Sequence, residues 1–317
     1  MIFINSIGSI TPNKTIENGH FQCVEPLYKE LINPIQLRRM SRILKMGLGA
    51  STICIQNLPE SKIDAIIVGT GLACILDLEK FLFTVLEGNE QSLSPIPFIN
   101  STHNTVAAQI AFMHKITGYS NTFCGADSFD SALADAILLL NEDANQVLIG
   151  GIDEYSEYHF FMNSEEHDLK NAQFGEGAIF FILEKELKDN SFAQLIGVHS
   201  FLTKNKKCNN NLFEIIKTEI TLFLKKYELE LTDIEIFVSG KNGNCFSDDI
   251  YDILQRDFFP HSDTLQFKHL CGEYMTSTAF AMEHTARHLS NCTEKYALIY
   301  NHFNLVNHSI ILMKTSK

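Results

Sequence analysis

The chain has 317 residues, 45% apolar and 20% charged, with 25 Lys and Arg against 38 Asp and Glu. That apolar share is ordinary for a globular protein, which excludes a disordered or fibrous chain, and the length leaves room for two domains or one duplicated core. A net charge of −13 repels phosphate backbones and anionic membranes, so nucleic acid is excluded as a partner, and no apolar run reaches the roughly 18–20 residues of a membrane span.

Met1–Asn5 has no basic flank and no long apolar stretch behind it, so no secretory signal is expected and the protein is assigned to the cytoplasm. Eight cysteines (Cys23, Cys54, Cys74, Cys124, Cys208, Cys245, Cys271 and Cys292) form no C-x-x-C pair, as suits free thiols in a reducing compartment. The twelve histidines make no H-E-x-x-H or Cys/His quartet, so no metal and no cofactor is expected.

Strands and helices alternate along the chain. Residues 1–10 read as a strand and 33–57 as a helix with an early proline. Asp64–Gly71 is an apolar run closing on glycine, as in a strand buried on both faces. Helical periodicity follows over 74–86, 103–117 and 128–141, then strands over 146–151, 177–183 and 193–201. The second part repeats the scheme: a helix over 212–227, a strand over Asp233–Gly240, helices over 248–259 and 276–289, and paired strands over 296–300 and 309–313. Asp233–Gly240 echoes Asp64–Gly71, which argues for a duplicated α/β core divided at the polar run 205–211, with halves 1–204 and 205–317.

Several segments resemble the β-ketoacyl synthase branch of the thiolase superfamily. Gly175–Ala178 reads G-E-G-A and runs into a strand. Gly118–Cys124, the helix after it and Val147–Asp153 resemble the family's nucleophile strand, nucleophile helix and G-G-x-E turn. Lys268–Tyr274 followed by Ala279–Glu283 resembles its K-x-x-x-G-H loop and helix, and Phe303–Ser309 stands where the family has F-G-G-T-N-x-S. Residues 95–98 and 101–105 resemble a sub-branch that accompanies polyene and resorcinol pigment pathways. The resemblance implies a thiolase-like duplicated five-layer α-β-α-β-α fold. It also implies decarboxylative Claisen condensation by a thiolate and two histidines, acting on chains held by an acyl carrier protein.

Against that pattern the chemistry is incomplete. Cys124 lies at or next to the nucleophile position, but an ungapped count from Gly150 and Gly151 puts Gly125 there. An active thiol and a small thiol packed at a strand end are equal readings. Asp127 and Asp130 in the following first turn suit the helix dipole but raise a nearby thiol's pKa. Gly240 stands at the first histidine position and Glu273 at the second, where a carboxylate opposes an oxyanion; Lys268 is retained, and a Lys268–Glu273 pair is expected. Phe303, Asn307 and Ser309 survive from the glycine-rich tail, with Phe303 and Asn307 expected at the acyl pocket. His103, His269, His302 and His308 read as structural residues.

The leading expectation is a catalytically degenerate chain-length-factor-type subunit that partners an active β-ketoacyl synthase. The alternatives are an active synthase using Cys124 with atypical donors and a non-catalytic acyl-binding scaffold. The family pairs edge to edge through the strand before the nucleophile helix. This implies a homodimer or heterodimer through Tyr119, Asn121 and Phe123, with His103 and its helix at the same interface.

Overall fold

In a computed structural model the described residues are 1–17, 20–56, 58, 62–88, 94–158, 172–204, 210–293 and 295–316. Cys208 and the run 161–167, which stands where the family carries an R-P-F-D-like segment, lie outside them.

The first half runs through β1 (Ile2–Ile10), a small β2–β3 hairpin (Pro12–Glu17, His20–Cys23), α1 (Arg42–Ile55) and β4 (Ala65–Thr70). It continues through α2 (Ile75–Leu86), α3 (Pro95–Asn100), α4 (Thr105–Met113), β5 (Tyr119–Cys124), α5 (Ser128–Asn141), β6 (Gln146–Asp153) and β7 (Gly177–Glu184). The second runs β8 (Ala193–Leu202), α6 (Asn210–Lys225), β9 (Ile234–Ser239), α7 (Cys245–Asp257), β10 (Asp263–Gln266), α8 (Lys268–Cys271), α9 (Ser277–Leu289), β11 (Tyr296–Phe303) and β12 (Asn307–Lys314). The sequence reading differs from this in a few places. The helix expected over 33–57 is a short turn at Pro34–Leu37 followed by α1, and α3 and β10 were not anticipated.

Strand order explains the internal echo. Five strands pair as β5-β4-β6-β7-β1 and five as β10-β9-β11-β12-β8. In each set the echoed strand, β4 or β9, has a parallel neighbour on both sides, and the last strand returns antiparallel. The second half therefore begins one strand earlier than the 205–211 run suggested. β8 pairs with β12 from Gln194 to Leu202 but touches β1 only at Ala193–Leu195, and it takes the place in its sheet that β1 takes in the other. The β1–β8 contact also joins the two sheets into one ten-stranded ladder at a corner, where separate sheets were expected.

Alternation along the strands builds the layers. Ile67, Ile149 and Phe181 face one way, and Val238, Ile299 and Ile311 face them from the other sheet; between them lie Phe129 and Leu133 of α5 and Ala279 and Met282 of α9. The intervening residues Ile66, Leu148 and Phe180 pack outward on α1 and α4. Phe237, Leu298 and Ile310 pack outward on α6 and α7. Two helices between two sheets, with helices outside each, is the five-layer thiolase-like arrangement.

Tight packing fixes the join between halves. A Cβ on Gly175 would lie 1.8 Å from the Cys271 carbonyl oxygen, a backbone atom that has no rotamer to retreat into. Gly175→Ala is expected to cost about 3 kcal/mol or more of stability, measured by chemical denaturation. A midpoint within error of the parent would contradict this packing.

Candidate functional site

The carboxyl ends of β4, β6 and β11 meet the turn after α8. There a cleft of about 510 Å3, part of it open to solvent, is lined by the loop after β4 (Gly71–Ala73, with Ile75) and by Asp153–Ser156. Phe174, Gly175, Glu273–Met275 and Phe303 complete it. Ligands of open parallel sheets bind at this end of the strands.

Asp153 ties the cleft floor together. Its Oδ1 accepts from the Gly71 N–H (2.7 Å) and its Oδ2 from the Thr276 N–H (2.8 Å) and hydroxyl (2.9 Å), which links β4, β6 and the start of α9. Burial still raises this carboxyl above its ordinary value. Glu176 of the G-E-G-A motif is a second hub, accepting from both Arg42 terminal nitrogens at 2.5 Å and from the Cys23 and Tyr155 N–H groups. Burial opposes its ionisation, but Arg42 holds its pKa below the ordinary carboxylate value. The motif thus clamps α1, β3 and the loop after β6 onto β7. Arg42 and Glu154 were not singled out from sequence, because their partners lie far along the chain.

Cys124 ends the edge strand β5 with its side chain exposed, and it does not line the cleft. Partial burial, then Asp153, raises its thiol pKa, so the thiol is not activated. Gly125 has φ +116°, a conformation L side chains rarely adopt. Asp130 turns inward instead of facing the thiol. Its carboxylate accepts from the hydroxyls of Ser309 and, at 3.4 Å, Thr278, joining α5 to β12 and α9.

Neither Gly240 nor Glu273, the positions that the resemblance matches to the family's histidines, carries an imidazole. A Cβ on Gly240 would lie 2.4 Å from Asn301 Oδ1 and 2.7 Å from the Tyr251 hydroxyl, so any side chain there must displace the ends of Asn301 and Tyr251. Glu273 Oε2 accepts from Lys268 Nζ (2.7 Å) and Asn242 Nδ2 (2.7 Å), and the Lys268 and Glu273 side chains are 1% and 3% exposed. Lys241 instead pairs with Asp252 on the surface.

The histidines do not replace these donors. His103 and His269 are exposed. His308 is buried between the Tyr300 hydroxyl (2.8 Å) and the Leu305 carbonyl (3.1 Å), and burial lowers its pKa to about 4. His302 is buried against Tyr251, its pKa lowered chiefly by burial, and neither ring lines the cleft. Phe303 lines the cleft, whereas Asn307 lies at the β11–β12 hairpin paired with Phe303 and Leu202.

Among the described residues β5 pairs with β4 alone, which leaves its second edge unpaired. His103, Ser120, Asn121 and Thr122 border one surface hollow there, and the Tyr119 hydroxyl donates to Asp135 (3.0 Å). Among the described residues no group of three His, Cys, Asp or Glu is placed to hold a metal, and no helix is long and apolar enough to cross a membrane.

The Asp130 junction predicts a pH effect. Burial raises its pKa from 3.8 to about 7, so between these values the folded protein keeps a proton that the unfolded chain has released. The stability this group contributes is complete below the lower value and lost as pH rises through the upper one. Wild type should therefore lose about 2 kcal/mol relative to Asp130→Asn between about pH 5 and about pH 8. Parallel stability curves for the two proteins would contradict this.

Residues 17–174 match the beta-ketoacyl synthase N-terminal domain. Nothing among the curated proteins matches the chain. Among solved structures, "The ishigamide ketosynthase/chain length factor" superposes with TM-score 0.80 at 15% identity, covering 99% of this chain and 98% of that one. A type II PKS acyl-carrier protein in complex with its ketosynthase bound to the hexaketide gives 0.78 at 14%, covering 99% of both chains. A beta-ketoacyl synthase from Burkholderia phymatum STM815 gives 0.72 at 13%, again covering 99% of both chains. At these identities the superpositions speak for the fold. The chain has the thiolase-like fold of these ketosynthase structures, and its residues 17–174 match the beta-ketoacyl synthase N-terminal domain family.

Proposed function

We propose that this protein is a non-condensing, chain-length-factor-type subunit that pairs with an active β-ketoacyl synthase and helps shape its acyl site in a fatty-acid or polyketide-type pathway in the cytoplasm, one of the polyene or resorcinol pigment kind. The observation that carries the reading is the pair of donor positions. One is closed by Asn301 and Tyr251 around Gly240, and the other is a carboxylate locked to Lys268. Condensation needs donors aimed at developing negative charge, and here neither position carries an imidazole, while the Lys268 and Asn242 donors are taken up by Glu273.

Pairing through β5 follows from its open edge, because an unpaired strand is a template for another. α4, which packs on β5, exposes Phe112, and α2 buries none of its residues and exposes Leu82, Phe83 and Leu86, apolar surface that an interface would cover. Active-site chemistry and the docked acyl carrier protein then belong to the assembly.

Co-expression tests the partnership. A tagged copy is expected to retain a cysteine-bearing synthase in equal amount, and a substitution of Asn121 by Pro should release it. A chain that remains a monomer in sedimentation beside such a synthase would contradict the proposal.

A further inference from the structure

The unpaired edge of β5 carries a cap of its own. Tyr119 and Gly125 turn their N–H groups to the β4 side, where they donate to the carbonyls of Asp64 (3.1 Å) and Thr70 (3.1 Å). Backbone groups alternate in direction along a strand, so Asn121 and Phe123 also face β4, and Ser120, Thr122 and Cys124 turn their N–H and C=O groups to the open edge. The middle one of these three is occupied. The Thr122 N–H donates to Oδ1 of Asn121 at 2.9 Å, so a side-chain oxygen stands where the carbonyl of a partner strand would stand. The other end of the Asn121 amide is held as well. Its Nδ2 donates to the Tyr119 hydroxyl (3.0 Å) and, at 3.5 Å, to Asp135 of α5, and the Tyr119 hydroxyl donates to the same Asp135 oxygen.

We propose that Asn121 sets the specificity of this edge, closing β5 to a second copy of the chain while leaving it available to one strand of a different chain. Two copies that join edge to edge about a two-fold axis run antiparallel, and outward-facing residues must oppose one another and exchange both N–H bonds. Full overlap sets Thr122 against Thr122 of the second copy, with Ser120 against Cys124 on either side. A slide of the register sets Thr122 against Ser120 or against Cys124 instead. Every such register with more than one hydrogen-bonded pair uses the Thr122 N–H of both copies, so two caps must open. A strand from a chain without this cap opens only one. Edge strands commonly carry devices of this kind against self-pairing. The selectivity rests on β5 being the docking edge, and it adds that the edge favours an unlike partner over a like one.

Sedimentation of the full chain, alone and with a cysteine-bearing synthase, tests this. Wild type alone is expected to stay monomeric at micromolar concentration. Asn121→Ala removes the cap, and one cap is worth about fivefold in affinity, so binding to the synthase should tighten about fivefold and self-association about 25-fold. In the monomeric variant the Thr122 amide hydrogen should exchange about fivefold faster, with the Ser120 and Cys124 amides unchanged. Thr122→Pro deletes the outward N–H without breaking a bond to β4, and added to Asn121→Ala it should abolish the gained self-association. The proposal is overturned by a wild-type homodimer that Thr122→Pro disrupts, by an Asn121→Ala chain that self-associates no more than its parent, or by equal tightening toward a second copy and the synthase. Those results would leave β5 as the docking edge. Self-association that is gained in Asn121→Ala and survives Thr122→Pro would overturn both the cap and the choice of edge.

Discussion

Purified alone and supplied with acyl and malonyl thioesters on a carrier protein, the chain is expected to form no extended product. Losing one oxyanion donor typically costs about 10²–10³ in rate, and here both donor positions lack an imidazole. Partial burial and then Asp153 also raise the Cys124 thiol pKa, and Cys124 does not line the cleft. Cys124→Ala should therefore leave the background unchanged. Grafting the donors back should fail as well. Gly240→His drives a side chain into Asn301 and Tyr251, and Glu273→His leaves Lys268 buried without its carboxylate. The double variant is expected to be less stable than the parent and no more active, measured by denaturation and by product mass. A double variant that condenses at ordinary synthase rates would show that the scaffold had kept its chemistry.

The second large effect lies in the same ion pair. Glu273→Ala strands a buried ammonium and removes the Asn242 contact, which should cost about 3–5 kcal/mol. Replacing both partners by apolar residues, Lys268→Met with Glu273→Leu, should recover much of that loss, because no charge is then left alone. The measurement is a double-mutant cycle on the unfolding midpoint. Additive single and double effects would mean that Lys268 and Glu273 do not act as a pair.

The fold was legible wherever burial followed a local period. Asp64–Gly71 and Asp233–Gly240 are apolar because each is an interior strand of a sheet covered on both faces, and their shared pattern exposes the duplication directly. β8 was legible as a strand, but its partners were not. It follows β7 closely in sequence yet pairs with β12 and the start of β1, a choice made by long-range contacts. β10 escaped notice because four mostly exposed residues carry no apolar period.

The site divides in the same way. Gly240, Glu273 and Lys268 could be placed by their order against the family's motifs, and the buried Lys268–Glu273 bond follows from their spacing in one loop. Sequence could not show what surrounds Gly240, because Asn301 and Tyr251 approach it from other elements. Nor could it show that Cys124 faces outward, or that Arg42 and Glu176 meet across the sheet. Asp130, expected to suit the helix dipole and raise a nearby thiol's pKa, accepts from Ser309 and Thr278 instead.

The decisive measurement is the intact mass of each chain after the protein, co-purified with a cysteine-bearing synthase, is given an acyl-carrier thioester. The acyl group should appear on the partner's cysteine, with this chain keeping its unmodified mass. An acyl adduct on this chain, lost in Cys124→Ala and discharged by malonyl carrier protein, would contradict the non-condensing role and make Cys124 a working nucleophile.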